Sequence, residues 1–164
     1  ATTKSTNFSN KDEVFSELGR LSESEAKCYS YFLDKRQTLG HTGYVVLNEA
    51  ESAELHSSFD SDTIISVSRS IADVLAEGVG FLSLVVFYDN NDVSDLVQFR
   101  MRRSQSFTSY DLRKILEVFS IENGGGHEGA IGFRIPRTGI PDIGVYTRNL
   151  LEGIETEIAW PAAK

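Results

Sequence analysis

The sequence predicts an α/β (α+β) domain, a compact mixed sheet of four to five strands flanked by helices and preceded by a helical linker. Three observations carry this. Residues 81–88 form an apolar run of strand length interrupted only by Ser83, the pattern of a central strand covered on both faces. Residues 96–103 alternate instead, with Val97, Phe99 and Met101 set against Gln98, Arg100 and Arg102, so one face is apolar and the other carries two arginines. Ile64, Val67, Ile71, Val74 and Leu75 recur at helical spacing just ahead of the apolar run.

The elements follow in chain order. Val14, Phe15, Leu18 and Leu21 repeat at helical spacing, and Ser22-Glu23-Ser24-Glu25 has the form of a capping box. That box opens a second helix running to about Arg36, with Ala26, Tyr29, Phe32 and Leu33 as its apolar stripe. Residues 1–40 therefore read as a helical linker or interdomain segment, and residues 41–164 as the domain proper. Tyr44-Val45-Val46-Leu47 reads as a short β-branched strand, and the acidic stretch 49–60 as an exposed segment. The helix carrying the Ile64 stripe takes Asp60 or Ser61 as its cap and Gly78 and Gly80 as its stop. Asp89-Asn90-Asn91-Asp92 supplies turn chemistry between the two strongest strands, which makes them a hairpin.

Farther on, Leu112, Ile115, Leu116 and Phe119 define a helix capped by Thr108 or Ser109. Ile131, Phe133 and Ile135 then alternate with Ala130, Gly132 and Arg134 in a strand whose second face is kept small beside a glycine run. Pro136 and Pro141 bracket a loop, and Tyr146, Leu150, Leu151, Ile154 and Ile158 mark a terminal helix ahead of Trp160. Pattern alone leaves the strand order open.

At 164 residues and 40% hydrophobic content the chain can bury one core. Its net charge of -8 argues against bulk polyanion binding. Yet between Gln98 and Thr138 seven basic residues (Arg100, Arg102, Arg103, Arg113, Lys114, Arg134, Arg137) outnumber four acidic ones, leaving the acid excess to the rest of the chain. Cys28 is the single cysteine, so no intrachain disulfide or cysteine-based zinc site can form. No apolar run reaches spanning length and no signal-peptide pattern opens the chain; a cytoplasmic protein without membrane attachment is expected. The start at Ala1, followed by a polar lead, is expected of a processed or excised fragment.

Inside the basic island lies Asn123-Gly124-Gly125-Gly126-His127. Bare glycine backbone can close its N–H groups around an anion, and the histidine adds a donor. A glycine triplet is also the make-up of a plain flexible turn. The preceding helix, the arginine-bearing strand and the small face at Ala130 and Gly132 favour a phosphate clamp. Arg100 and Arg102 share one strand face and offer planar forks to phosphate oxygens, whereas Arg103 points the other way. Phe107 and Tyr110 could stack on a base or pack in the core, and core packing is the simpler assignment.

These residues resemble a known family. Phe99-Arg100-Met101-Arg102-Arg103-Ser104, then residues 111–116, then Gly124-Gly125-Gly126-His127 with Ala130 and Gly132 behind, look like the C-terminal substrate-binding (DHH-associated, GGGH-motif) domain of DHH-family phosphoesterases. That family includes nanoRNases, cyclic dinucleotide phosphodiesterases, RecJ-like exonucleases and exopolyphosphatases. The chain departs from the pattern at Asn123, where many members have a fourth glycine, at Ile131, and at Arg103, which separates Arg102 from Ser104.

The resemblance implies that Gly124, Gly125, Gly126 and His127 cradle a phosphate, that Arg102 pairs with another, and that Arg100 and Ser104 belong to the same substrate-binding group. It also implies a divalent metal, manganese or magnesium, held by an N-terminal DHH catalytic domain. This chain has only His41, His56 and His127 and no Asp-His-His triplet, so it is expected to bind no metal itself and to be inactive alone. The expected partners are that domain, a phosphate-containing substrate such as a short oligonucleotide, cyclic dinucleotide or mononucleotide, and a second copy in a homodimer. A competing reading of the same residues is a non-catalytic nucleotide-sensing or nucleic-acid-end-binding module.

Overall fold

The computed structural model describes residues 22–161; the expected helix over Val14, Phe15, Leu18 and Leu21 lies outside them. The described residues form a mixed α/β structure. Helix α1 (Glu23–Leu33) opens it, held by the expected Ser22–Glu25 capping box. Strands β1 (Gln37–Leu39) and β2 (Thr42–Val46) follow, then helices α2 (Glu49–Ser58) and α3 (Ser61–Val79). The hairpin β3 (Leu82–Tyr88) and β4 (Leu96–Arg103) comes next, then α4 (Arg113–Val118), β5 (Gly124–His127), β6 (Ala130–Pro136) and α5 (Ile143–Glu157). The sheet has six strands in the order β1-β2-β3-β4-β6-β5, and only the β2–β3 pair is parallel. None of these helices is long and apolar enough to cross a membrane.

Each strong pattern in the sequence becomes a buried surface. Every residue of β3 is buried. Leu82, Leu84, Val86 and Tyr88 pack on one side of the sheet with α4 and α5, while Val85 and Phe87 pack on the other with α1, α2 and α3. Phe99 of β4 stacks on its direct cross-strand partner Phe133 of β6, ring centroids 4.7 Å apart, a contact of about 0.5–1.5 kcal/mol beyond the area it buries. Helix α3 buries Ile64, Val67, Ile71, Val74 and Leu75 as predicted. Asp60 caps its start, and Gly80, at φ 81°, ends it in the left-handed conformation that glycine adopts without strain.

Two local expectations are corrected and two segments gain detail. The acidic stretch is helix over residues 49–58, because Asn48 and Glu51 form a capping box and Leu55 supplies a buried anchor. Residues 23–39 carry Cys28, Tyr29, Phe32 and Leu33 in the core beside α3, and β1 pairs with β2. Helix α4 makes no side-chain cap bond from Thr108 or Ser109; Asp111 accepts the Arg113 N–H instead at 3.0 Å. The glycine run is the edge strand β5, joined to β6 by a tight turn at Glu128 and Gly129.

Candidate functional site

Across β4, β6 and β5 the register sets out two rows: Arg102, Ala130 and His127, and beside it Arg100, Gly132 and Gly125. Directly opposed residues in antiparallel strands project from the same face, so both rows look toward the side that carries α3. Two strand spacings, about 10 Å, separate the arginine strand from the histidine strand. Only Ala130 and the two glycines lie between them, which makes the floor of this surface almost pure backbone.

The glycines of β5 divide by role. A Cβ on Gly124 would press on Phe133 Cβ at 2.7 Å and Leu116 Cδ2 at 3.0 Å, and one on Gly126, at φ 146°, would strike the Ala130 carbonyl and lie 2.8 Å from Ile131 Cα. Those two are glycines because the hairpin packs tightly. A Cβ on Gly125 would meet nothing within 4 Å, and one on Gly132 only the Phe99 carbonyl oxygen at 3.7 Å. Packing explains neither, and their bareness keeps the arginine face open. The Arg134 N–H donates to Asn123 O at 3.0 Å; alternation from that bond turns the amides of Gly124 and Gly126 outward from the sheet edge.

Helix α3 forms the wall of the groove. Its Arg69, Asp73 and Glu77 recur every four residues, about 6 Å apart, and step past Arg100, Arg102 and Ser104 of the β4 segment, spaced about 6.8 Å apart. Asp73 Oδ1 holds Arg102 Nε at 3.0 Å. Glu77 Oε1 accepts from Ser104 Oγ at 3.0 Å, and its other oxygen accepts from the Gln105 N–H at 2.8 Å. Ser104 is thus 1% exposed and occupied, so the structure does not bring its hydroxyl to the open surface.

Arg100 is different. It is half-buried, and its Nε is buried with no hydrogen-bond partner. Burial first, then the charges of Arg69, Arg102 and Arg134, hold its pKa below the usual guanidinium value, with Asp89 opposing. Together with Arg69, Ala72, Arg102, Ala130 and Gly132 it lines a cavity of about 160 Å³. His127, exposed at the turn, accepts the Gly129 N–H on Nδ1 at 3.1 Å, which places the proton of the neutral ring on Nε2 as a donor.

Three more arginines of the basic island make contacts elsewhere. Arg103 faces the other way, as expected, and donates to the carbonyls of Tyr110 at 2.7 Å and Thr108 at 3.3 Å. Arg113 pairs with Asp111 at 2.7 Å. Arg137 pairs with Glu49 at 2.9 Å, donates to the Asp89 carbonyl at 2.7 Å and lies over the Tyr88 ring. It borders a larger cavity of about 560 Å³ beside α2; its two terminal nitrogens are engaged, whereas its Nε, like that of Arg100, is buried with no hydrogen-bond partner. Phe107 is buried against Phe81 and Trp160 on the far side of the sheet, in agreement with core packing.

Among the described residues no group of three or more His, Cys, Asp or Glu is placed to hold a metal ion. His41 bonds Glu155 at 2.6 Å and His56 bonds the Tyr88 carbonyl at 2.8 Å, each apart from His127. Arg69 and Asp73 were missed by sequence reasoning; their i, i+4 spacing flanking the apolar stripe of α3 was the available signal.

No protein-family model matches the chain, and no curated protein matches it. Solved structures do. One is a pGpG-specific phosphodiesterase, PggH, from Vibrio cholerae, with 15% identity and a TM-score of 0.50 over 92% of this chain and 43% of that one. Another is CDC45 from Entamoeba histolytica, with 10% identity and a TM-score of 0.54 over 89% of this chain and 28% of that one. The C-Ala domain of Aquifex aeolicus alanyl-tRNA synthetase matches with 14% identity and a TM-score of 0.43, over 74% of this chain and 98% of that domain. This chain spans less than half the length of the first two.

Proposed function

We propose that this chain is the substrate-holding domain of a DHH-related phosphodiesterase, and that it grips a phosphate group of a short oligonucleotide, cyclic dinucleotide or related ester in the groove between α3 and β5. The carrying observation is Arg100, a half-buried guanidinium with an unpartnered buried Nε, beside two glycines that packing does not require. Natural structures satisfy such a group, and an anion does so with two parallel N–H···O bonds. The GGGH resemblance and the fold shared with a pGpG-specific phosphodiesterase support the same reading.

In this proposal Arg100 and Arg102 fork onto phosphate oxygens, each charge-assisted hydrogen bond being worth about 1.5–3 kcal/mol. Asp73 holds Arg102 by Nε and so aims the outer nitrogens of its guanidinium. His127 donates through Nε2 from the far rim, and the outward amides of Gly124 and Gly126 add donors at the sheet edge. Gly125 and Gly132 let the ligand lie on backbone, while Ser104, under Glu77, anchors the end of β4. These groups bind and orient, and fixing the ester in one pose is the contribution they make to catalysis. Divalent metal would be held by residues beyond those described, on a catalytic domain of the same protein.

Calorimetric titration of the purified chain with a phosphorylated dinucleotide, followed by incubation with manganese, tests this. Saturable binding without turnover is the expected result. Hydrolysis by this chain would contradict a role limited to holding substrate, and absence of binding would contradict the site.

A further inference from the structure

The ladder between α3 and β4 contains one mismatch. Two of its three steps are complementary, Asp73 with Arg102 at 3.0 Å and Glu77 with Ser104 at 3.0 Å. At the third step Arg69 faces Arg100 across the small cavity, and neither has a carboxylate within ion-pair distance among the described residues. Arg134, one row farther along β6, adds a third guanidinium whose charge reaches Arg100. Like charges set opposite one another are unfavourable, and a chain gains nothing from that placement unless an anion resides between them.

We infer that Arg69 is a specificity-determining contact of this site, the helix-borne cation that makes the groove select a doubly charged terminal phosphate over a singly charged internal phosphodiester. This rests on the binding reading above. A terminal phosphate carries about -1.5 to -2 at neutral pH, against one charge for a diester. Arg102, paired through Nε with Asp73, and Arg100 suffice for the single charge. The second charge is matched by Arg69, which stands on the opposite wall of the cavity from the strand arginines and closes on the outer oxygens. The confined cavity admits the phosphoryl group, and the remainder of the ligand leaves over the open floor of Gly132 and Gly125.

The test compares a dinucleotide bearing a terminal phosphate with the same dinucleotide lacking it. Each is titrated calorimetrically into the wild-type chain and into R69Q and R69K, with melting temperatures recorded to establish folding. Wild type is expected to prefer the phosphorylated ligand. R69Q should reduce that preference about tenfold while leaving affinity for the unphosphorylated dinucleotide unchanged, and should melt no lower than wild type because a like-charge contact is relieved. R69K should keep most of the preference. An unchanged preference in folded R69Q, or equal loss for both ligands, overturns the inference while the binding site stands. If neither dinucleotide binds wild type, the binding reading itself fails.

Discussion

Gly125 of β5 stands directly across the ladder from Gly132 of β6, and nothing that surrounds either one demands a glycine. Two bare residues side by side weaken a sheet, since glycine gives up packing and loses the most backbone freedom on folding. Arg100 lies in register with them on β4, its Nε buried and unpartnered. Under the proposed function, an anion on this face restores the stability forgone at these three positions.

Gly125→Val should therefore fold as well as the parent or gain up to about 1 kcal/mol from strand propensity, yet weaken phosphate binding at least about tenfold by filling the floor. Gly126→Val should do the reverse in kind, losing about 2–3 kcal/mol because its φ of 146° and the Ala130 carbonyl leave no room for a side chain. Urea midpoints alongside calorimetric titrations separate the two. Equal destabilisation by both would mean that Gly125 is a packing glycine after all.

Arg100→Met keeps the stem and removes the buried charge. Affinity for a phosphorylated dinucleotide should fall about 10- to 100-fold while the thermal midpoint holds or rises, since burial and three neighbouring arginines already disfavour the charged form. A large drop in midpoint would assign Arg100 a structural partner instead.

Arg137→Met supplies the opposite pattern. Its guanidinium ties Glu49 and the Asp89 carbonyl together over the Tyr88 ring. Loss of those contacts should lower stability by about 1–2 kcal/mol, read from denaturant midpoints, with phosphate binding unchanged. A binding defect in this variant would move the anion site to the cavity beside α2.

Cys28 is fully buried in α1, and burial foremost, with the Asp60 charge adding to it, pushes its thiol up to about 12 from 9.0. A raised thiol pKa favours the native state fully below the unfolded value and loses that contribution as pH climbs from about 9 toward 12. Cys28→Ala should accordingly narrow the gap to wild type across that alkaline window. Thiol reagents at pH 8 should label the folded protein far more slowly than the urea-unfolded one; equal rates would contradict the burial.

Legibility in the sequence followed the strength of the side-chain pattern. The alternation of residues 96–103 displayed Arg100 and Arg102 on one face before any coordinates, and the Ile64 stripe with Asp60 and Gly80 marked α3 at both ends. Strand β5 was hidden because glycines carry no periodicity and disfavour strand; its strand character comes from pairing with β6. Helix α2 was hidden because only Ser52 and Leu55 are buried, too few to draw a stripe. Arg69 and Asp73 read as ordinary polar helix positions, since what a helix faces is decided by packing over strands distant in sequence. The glycine run, read as a turn or a clamp, is a strand on the floor of a groove lined by arginines.

The most direct measurement is a nuclear magnetic resonance titration of the chain with a phosphorylated dinucleotide, following backbone amides, arginine Nε–H signals and histidine ring resonances together. The account predicts saturable, concerted shifts at Arg100 Nε–H, the amides of Gly125 and Gly132 and the His127 ring, with His56 and Arg137 unmoved. Shifts centred on His56 and Arg137, or none at Arg100 when binding is saturated, would contradict it.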